Sequence, residues 1–344
     1  MLLIAQVALI AVLLIAHEND RPTLINLVSI AVGSMALGGL ALFLPSDRLG
    51  LERTFRGFRI VCSLLIVSGI ALGPVLARLF NFSNPIEDLM TGDRLRIFVP
   101  DTGHSPLLDS AIIFLMLATS NLLGEKRLTR AIWGGTAVIL IRLAGSSIGY
   151  IGLLGCIYAF GMEASRISSR IKNGLHIIVC VAALIILPTH ADDILLNLRS
   201  FQTGGNVSEV YYRGDLTAGR SSLNQQLLYE ANEHPIFGSG IDSSVIRYGA
   251  LAADGTKLAL SESGLRLAAK YGWPYFFVVV MICLSPLLTL STRDRSVRTL
   301  GVSMAIYCCT VLAFNSLFEF AHAWSTLAFM PLVLLLAGYG RRKG

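Results

Sequence analysis

The sequence predicts an all-α, polytopic integral membrane protein of about ten transmembrane helices, and three observations carry that reading. The 344 residues are 54% hydrophobic and only 15% charged, with a mean hydropathy of +0.66, whereas soluble domains carry about 25% charged residues. Apolar runs such as "LINLVSIAVGSMALGGLALFL" and "FFVVVMICLSPLLTL" recur along the chain, and a helix needs roughly 20 apolar residues to cross the hydrocarbon. Finally, basic residues collect between alternate runs, as they do where lysine and arginine set orientation.

The expected spans are about 1–16, 23–44, 60–80, 106–123, 131–145, 147–162, 174–189, 270–290, 299–316 and 323–339. The first has no basic residue before its apolar run and no small-residue cleavage site, so it reads as a retained span and not a signal peptide. Arg48, Arg53, Arg56 and Arg59 follow the second span; Lys126, Arg127 and Arg130 follow the fourth. Arg166, Arg170 and Lys172 follow the sixth, Arg293, Arg295 and Arg298 the eighth, and Arg341, Arg342 and Lys343 the last. These clusters hold more than half of the 28 lysines and arginines. The positive-inside rule makes their side cytoplasmic, and both termini with it.

Residues 131–162 are short for two crossings. A single crossing would put the Lys126 and Arg166 clusters on opposite faces, so two short helices turning at "AGSSIG" are expected. The chain then divides into N-terminal membrane helices (1–189, about seven spans with an outer loop at 81–105), a large periplasmic loop (190–269) and C-terminal membrane helices (270–344, about three spans). All six cysteines fall in expected spans, as small apolar residues, and suggest neither a disulfide nor a metal framework. The net charge of +6 is scattered between spans, which argues for orientation signals and against a nucleic-acid partner.

Up to Glu262 the large loop carries five basic residues (Arg199, Arg213, Arg220, Arg247 and Lys257) against nine acidic ones, so it is no basic patch for anionic headgroups. Four of the five are arginine, whose planar fork suits bidentate binding of phosphate oxygens; ordinary ion pairing with acidic neighbours is the plainer use. "GRSSLNQQLLYEANEHP" reads as a helix, with Leu223, Leu227, Leu228 and Ala231 at three- and four-residue spacing and His234-Pro235 stopping it. Arg220 opens that helix, where outward N–H groups favour an anion. Glu230 and His234 share a face at its far end, which is either a solvated helix terminus or a pair of proton-transfer groups. "PIFGSG" is a sharp apolar turn whose glycines permit close backbone approach.

"LSESGLRLAAKYGW" leads back into the bilayer, with Ser261 and Glu262 at a helix start, where an acidic residue also serves as a cap. Arg266 and Lys270 occupy its first turns. Arg142, like Arg78, stands near the outer end of a span, where an arginine either snorkels or lines a polar cavity.

In this order the features resemble the Wzy-type polysaccharide polymerase and O-antigen ligase superfamily. Its members show an arginine opening a helix, a "P-l-f-G-x-G" turn and a glycine-ended helix returning to the membrane. The counterparts are Arg220, "PIFGSG" at 235–240 and Tyr271-Gly272. "DRLRIFVPDTGHSP" looks like the family's arginine-containing outer segment, and "AGSSIGYIGLL" like its "t-G-S-R-g-a" turn; the resemblance covers roughly residues 90 to 290. Ser147 replaces the arginine usual after that turn's serine, so its role is lost or passes to Arg142. Where ligases carry a histidine at the loop's return, this chain has "SESG", a form more typical of polymerases. The chain is also shorter than most members, which leaves room for one or two missing N-terminal spans.

The resemblance implies a GT-C-like glycosyltransferase of the bacterial inner membrane. It would polymerise polyprenyl-diphosphate-linked oligosaccharide units (O-antigen, capsule or exopolysaccharide) on the periplasmic face, without metal or cofactor. The expected diphosphate-binding residues are Arg220, Arg213 and Arg142, with Arg94 or Arg96; the expected bases are Glu262, His234 and Glu230. The implied partners are the undecaprenyl diphosphate-linked substrate, membrane lipids, a chain-length regulator and a flippase. Transfer of finished glycan to lipid A core is the alternative reaction. Transport without chemistry is the alternative class, against which stand the absence of an internal repeat and the gathering of polar residues outside the spans.

Overall fold

The computed structural model describes residues 2–43, 47–80, 84–91, 95, 122–144, 147–189, 220–240, 264–314 and 332–340. Among these the secondary structure is helical, with no strand. The helices are α1 (Leu2–Ala16), α2 (Arg21–Phe43), α3 (Arg48–Phe80), α4 (Pro85–Thr91), α5 (Arg127–Ala144), α6 (Ser147–Ala164), α7 (Ser169–Thr189), α8 (Arg220–Glu233), α9 (Leu265–Leu284) and α10 (Arg295–Phe314), then α11 at 332–340. A 3-10 segment, Ser285–Ser291, extends α9. Three described helical stretches are long and apolar enough to cross a membrane: Arg48–Phe80, Leu265–Ser291 and Arg295–Ala313. Ile4–Ala16 and Gly149–Ala164 are shorter apolar helices. The expected span at 106–123, all but its last two residues, and most of the 190–269 loop lie outside the described residues.

The chain forms two compact units. The first comprises Met1–Phe43, Gly174–Pro286 and Cys308–Leu334. Here α1 and α2 are joined by a tight corner in which Asp20 caps α2. Its carbonyl accepts from Leu24 N–H (2.9 Å), and its carboxylate accepts from the Thr23 N–H (3.2 Å) and hydroxyl. Helix α8 buries Leu227 and Ala231 against Ala268 and Ala269 of α9, with Leu265, Trp273 and Phe276 packed around them. The start of α9 is fixed by Gly264, whose N–H donates to Leu312 O of α10 at 2.8 Å. Any Cβ at Gly264 would lie 2.4 Å from that oxygen, so the close approach requires glycine. Gly264 is the N-cap and no side chain bonds there, so the described cap is not acidic; Glu262 itself lies outside the described residues.

The second unit comprises Leu44–Asn173, Leu287–Tyr307 and Leu335–Gly344. Helix α3 starts at its Asp47 cap, which accepts the Gly50 N–H at 2.9 Å, and runs for 33 residues. The Arg48–Arg59 cluster, expected between spans, is therefore part of a helix that begins twelve residues before position 60. The expected pair of short helices across 131–162 is present as α5 and α6, with Ala137 and Ile141 packed by Leu140, Tyr150 and Leu153. Ion pairs join the charged segments: Arg48 with Glu52 and Asp294, Arg59 with Glu125, and Arg298 with Glu163 (3.0 Å). Buried Lys172 donates to Ser165 O (2.9 Å), placing a cation just past the α6 C-terminus, where the helix dipole favours it. These contacts tie together the segments after expected spans two, four, six and eight.

Candidate functional site

The opening of α9 is not a regular helix. Gly272 adopts φ 83° and ψ 166°, and Pro274 follows. In an unbroken helix the Ala269 carbonyl would accept from Trp273 N–H and the Lys270 carbonyl from residue 274. Proline has no N–H, and the Gly272 conformation swings the Trp273 N–H away. Both carbonyls are thus released in a buried setting, where an unpaired polar group is costly.

The "HPIFGSG" turn satisfies them. Ser239 N–H donates to Ala269 O at 2.8 Å, reinforced by its hydroxyl at 3.2 Å, and Gly240 N–H donates to Lys270 O at 3.1 Å. In exchange the displaced Trp273 N–H donates to Pro235 O at 2.9 Å. The glycines are what let two backbones meet. A Cβ at Gly238 (φ 72°) would lie 2.2 Å from the Lys270 carbonyl carbon, and one at Gly272 would lie 2.1 Å from Ile236 O. The two halves of the outer-loop motif therefore interlock, each supplying what the other lacks.

The α1–α2 corner closes on the same turn. His17 Nε2 lies 2.8 Å from Phe237 O, and since a carbonyl only accepts, this nitrogen carries the proton. Gly240 faces Asp20 and Thr23 so closely that a Cβ would lie 2.4 Å from Asp20 Oδ2. Below the corner, polar side chains continue inward. Asn26 Nδ2 donates to the Tyr271 hydroxyl, Tyr271 and Tyr275 stack edge-on at 5.1 Å, and Gln6 Nε2 donates to the Tyr275 hydroxyl at 3.3 Å. Gln6, Tyr271, Tyr275 and Lys270 are all buried. Polar groups held inside apolar helices are costly and mark functional regions more often than elsewhere.

Of the expected site residues, Arg220 is the first residue of α8, as the sequence suggested, and Glu230, half-buried, is in its last turn. His234 ends the helix: its N–H donates to Glu230 O (3.1 Å), its carbonyl accepts from Gly238 N–H (2.9 Å), and its side chain is exposed. All three belong to the first unit: Glu230 and His234 stand at the interlocked turn, whereas Arg220 begins α8 at its opposite end, about 20 Å away along the helix. Arg142 belongs to the second unit, exposed in the last turn of α5. Next to it, Leu143 O accepts from the N–H of buried Leu95 at 2.8 Å, so the backbone between Arg94 and Arg96 is drawn to this helix end. Arg94, Arg96, Arg213 and Glu262 lie outside the described residues. Among the described residues no group of three histidine, cysteine or acidic side chains is placed to hold a metal ion.

Sequence reading missed His17, Asp20, Asn26 and Gln6, and took Lys270 for an ordinary first-turn cation. Two signals pointed toward them: Gly272 with Pro274 inside an apolar run, which marks a kink, and Asp20 ahead of "RPT", which marks a cap. No protein-family model, no curated protein and no solved structure matches the chain.

Proposed function

We propose that the protein is a metal-independent glycosyltransferase that polymerises polyprenyl-diphosphate-linked oligosaccharide units at the outer face of a bacterial inner membrane. In this reading about ten spans place both termini in the cytoplasm and residues 190–269 in the periplasm. The observation that carries it is the interlock. The turn and the returning helix, whose order in sequence gave the resemblance, meet through reciprocal backbone hydrogen bonds at the head of an apolar helix of spanning length. Arg220 opens the helix that feeds this turn, Glu230 is in its last turn, and His234 follows it.

The chemistry asks for two things. A diphosphate leaving group must be neutralised, which preorganised guanidinium groups do without a metal. A sugar hydroxyl must lose its proton to a base within hydrogen-bond reach. Arg220, with Arg213, Arg142 and Arg94 or Arg96, is assigned to the first task; His234, Glu230 or Glu262 to the second.

Purified protein supplied with lipid-linked repeat units and no nucleotide sugar should yield a product ladder. Arg220→Ala should abolish the ladder while inserting normally, and a near-normal ladder would remove Arg220 from the site. Transfer to lipid A core in place of a ladder would mark the ligase reaction, and a cytosolic epitope tag at 190–269 would sink both.

A further inference from the structure

We propose that the tip of the interlocked turn is a lipid anchor: Ile236 and Phe237 insert into the interfacial layer of the outer leaflet. This rests on α1 and α9 crossing the bilayer and not on the glycan chemistry. Two independent rulers set the depth of the turn. Apart from buried Gln6, helix α1 is apolar through Ala16, and the first polar residue beyond it, His17, holds the Phe237 carbonyl at 2.8 Å. The turn therefore sits at the level where α1 leaves the hydrocarbon.

On the other side, Pro235 O takes the Trp273 N–H at 2.9 Å, one residue past the kink. From Trp273 onward α9 carries a group of aromatic rings: Trp273 lies 5.6 Å from Phe276 and 6.0 Å from Phe277. Such a belt, with Trp273 Nε1 donating to Asn232 Oδ1 (3.3 Å), is the pattern of a helix crossing the headgroup boundary. Phe277, at 58% exposure, and Met281, at 53%, continue this surface down α9 toward lipid.

At that same level Ile236 is 59% exposed and Phe237 is 43% exposed, although the backbone beneath them is pinned at both ends. The segment 235–240 carries no charge. A rigid, uncharged turn that presents two large apolar side chains beside an aromatic belt matches the interfacial layer, and continuity with the exposed face of α9 names phospholipid as the occupant.

The test uses the full chain in phosphatidylethanolamine–phosphatidylglycerol vesicles, with a nitroxide on Ile236→Cys, Phe237→Cys or, as a water-facing reference, Glu233→Cys. The six native cysteines are buried and stay unlabelled. At 236 and 237, collisions with oxygen should exceed those with a water-soluble nickel chelate, and the order should reverse at 233. Labels at 236 and 237 that match 233 would mean an aqueous cavity. Labels shielded from both reagents would mean a protein-covered surface. Either result overturns the anchor. Should the cysteine variants fail to fold, Phe237→Trp keeps the apolar bulk. Its added emission should be quenched by lipids brominated near the carbonyl end of their chains more than by aqueous iodide, and the reverse order would overturn the proposal equally.

Discussion

Replacing Gly272 with alanine tests the interlock at its tightest point. The residue occupies φ 83°, ψ 166°, a region open essentially to glycine alone, where another side chain costs about 1–3 kcal/mol. Its new Cβ would lie 2.1 Å from Ile236 O, and that oxygen belongs to backbone that cannot rotate aside. Bearing the strain does not remove the collision, so the turn has to lift. Lifting breaks three backbone hydrogen bonds, those of the Ser239, Gly240 and Trp273 N–H groups, each contributing about 0.5–1.5 kcal/mol net, and with them the weaker Ser239 hydroxyl bond.

We expect the docked turn to lose about 2–4 kcal/mol, a roughly 30- to 1,000-fold rise in its open population. Hydrogen exchange in nanodiscs, followed on a peptide covering 235–241, reads this directly through the Ser239 and Gly240 amides. In Gly272→Ala both should exchange faster by that factor while α10 keeps its protection. Unchanged exchange at Ser239 and Gly240 would refute the claim that the two segments hold each other through these carbonyls.

Further perturbations address the second unit. Arg298→Ala removes the guanidinium that pairs with the Glu163 carboxylate, whose side chain is 5% exposed, and should cost about 1.5–3 kcal/mol in thermal denaturation of the purified protein; replacing both residues by Met and Leu should recover most of it. Gly155→Val should destabilise the packing of α6 on α10, since a Cβ there already lies 2.6 Å from Ile306 Cγ2, whereas Gly161→Ala, with open space around it, should stabilise by about 0.5–1 kcal/mol.

The sequence made the class of fold legible because apolar run length and basic clusters are local signals. They survive in the structure as α3, α9 and α10 and as the ion pairs of Arg48, Arg59 and Arg298. The pair α5 and α6 was legible for a similar reason: one crossing would have broken the alternation of charge. The start of α3 was not, because arginines read as loop residues although Asp47 caps them into a helix and the Arg48–Glu52 pair at i, i+4 supports it. In the candidate site, the end of α8 at His234-Pro235 was visible, since proline stops helices. The partners of the turn were not. His17 lies 220 residues from Phe237, and Tyr271 lies 245 from Asn26. No periodicity spans such distances; only the fold brings them together.

The interlock also changes what the turn motif means. Its glycines at 238, 240 and 272 are occupied with backbone approach, and its amides at Ser239 and Gly240 are spent on the carbonyls that Pro274 and Gly272 release. None of these groups is left to bind a phosphate. On the proposed reading, chemistry here comes from side chains that the interlock presents and does not consume, and among the described residues His234 and half-buried Glu230 meet that condition, spaced one helical turn apart. A proline that cannot donate, a glycine that bends the chain and a turn that repairs both form one device. The device holds the C-terminal end of α8 against the head of α9, where Leu227 and Ala231 pack on Ala268 and Ala269.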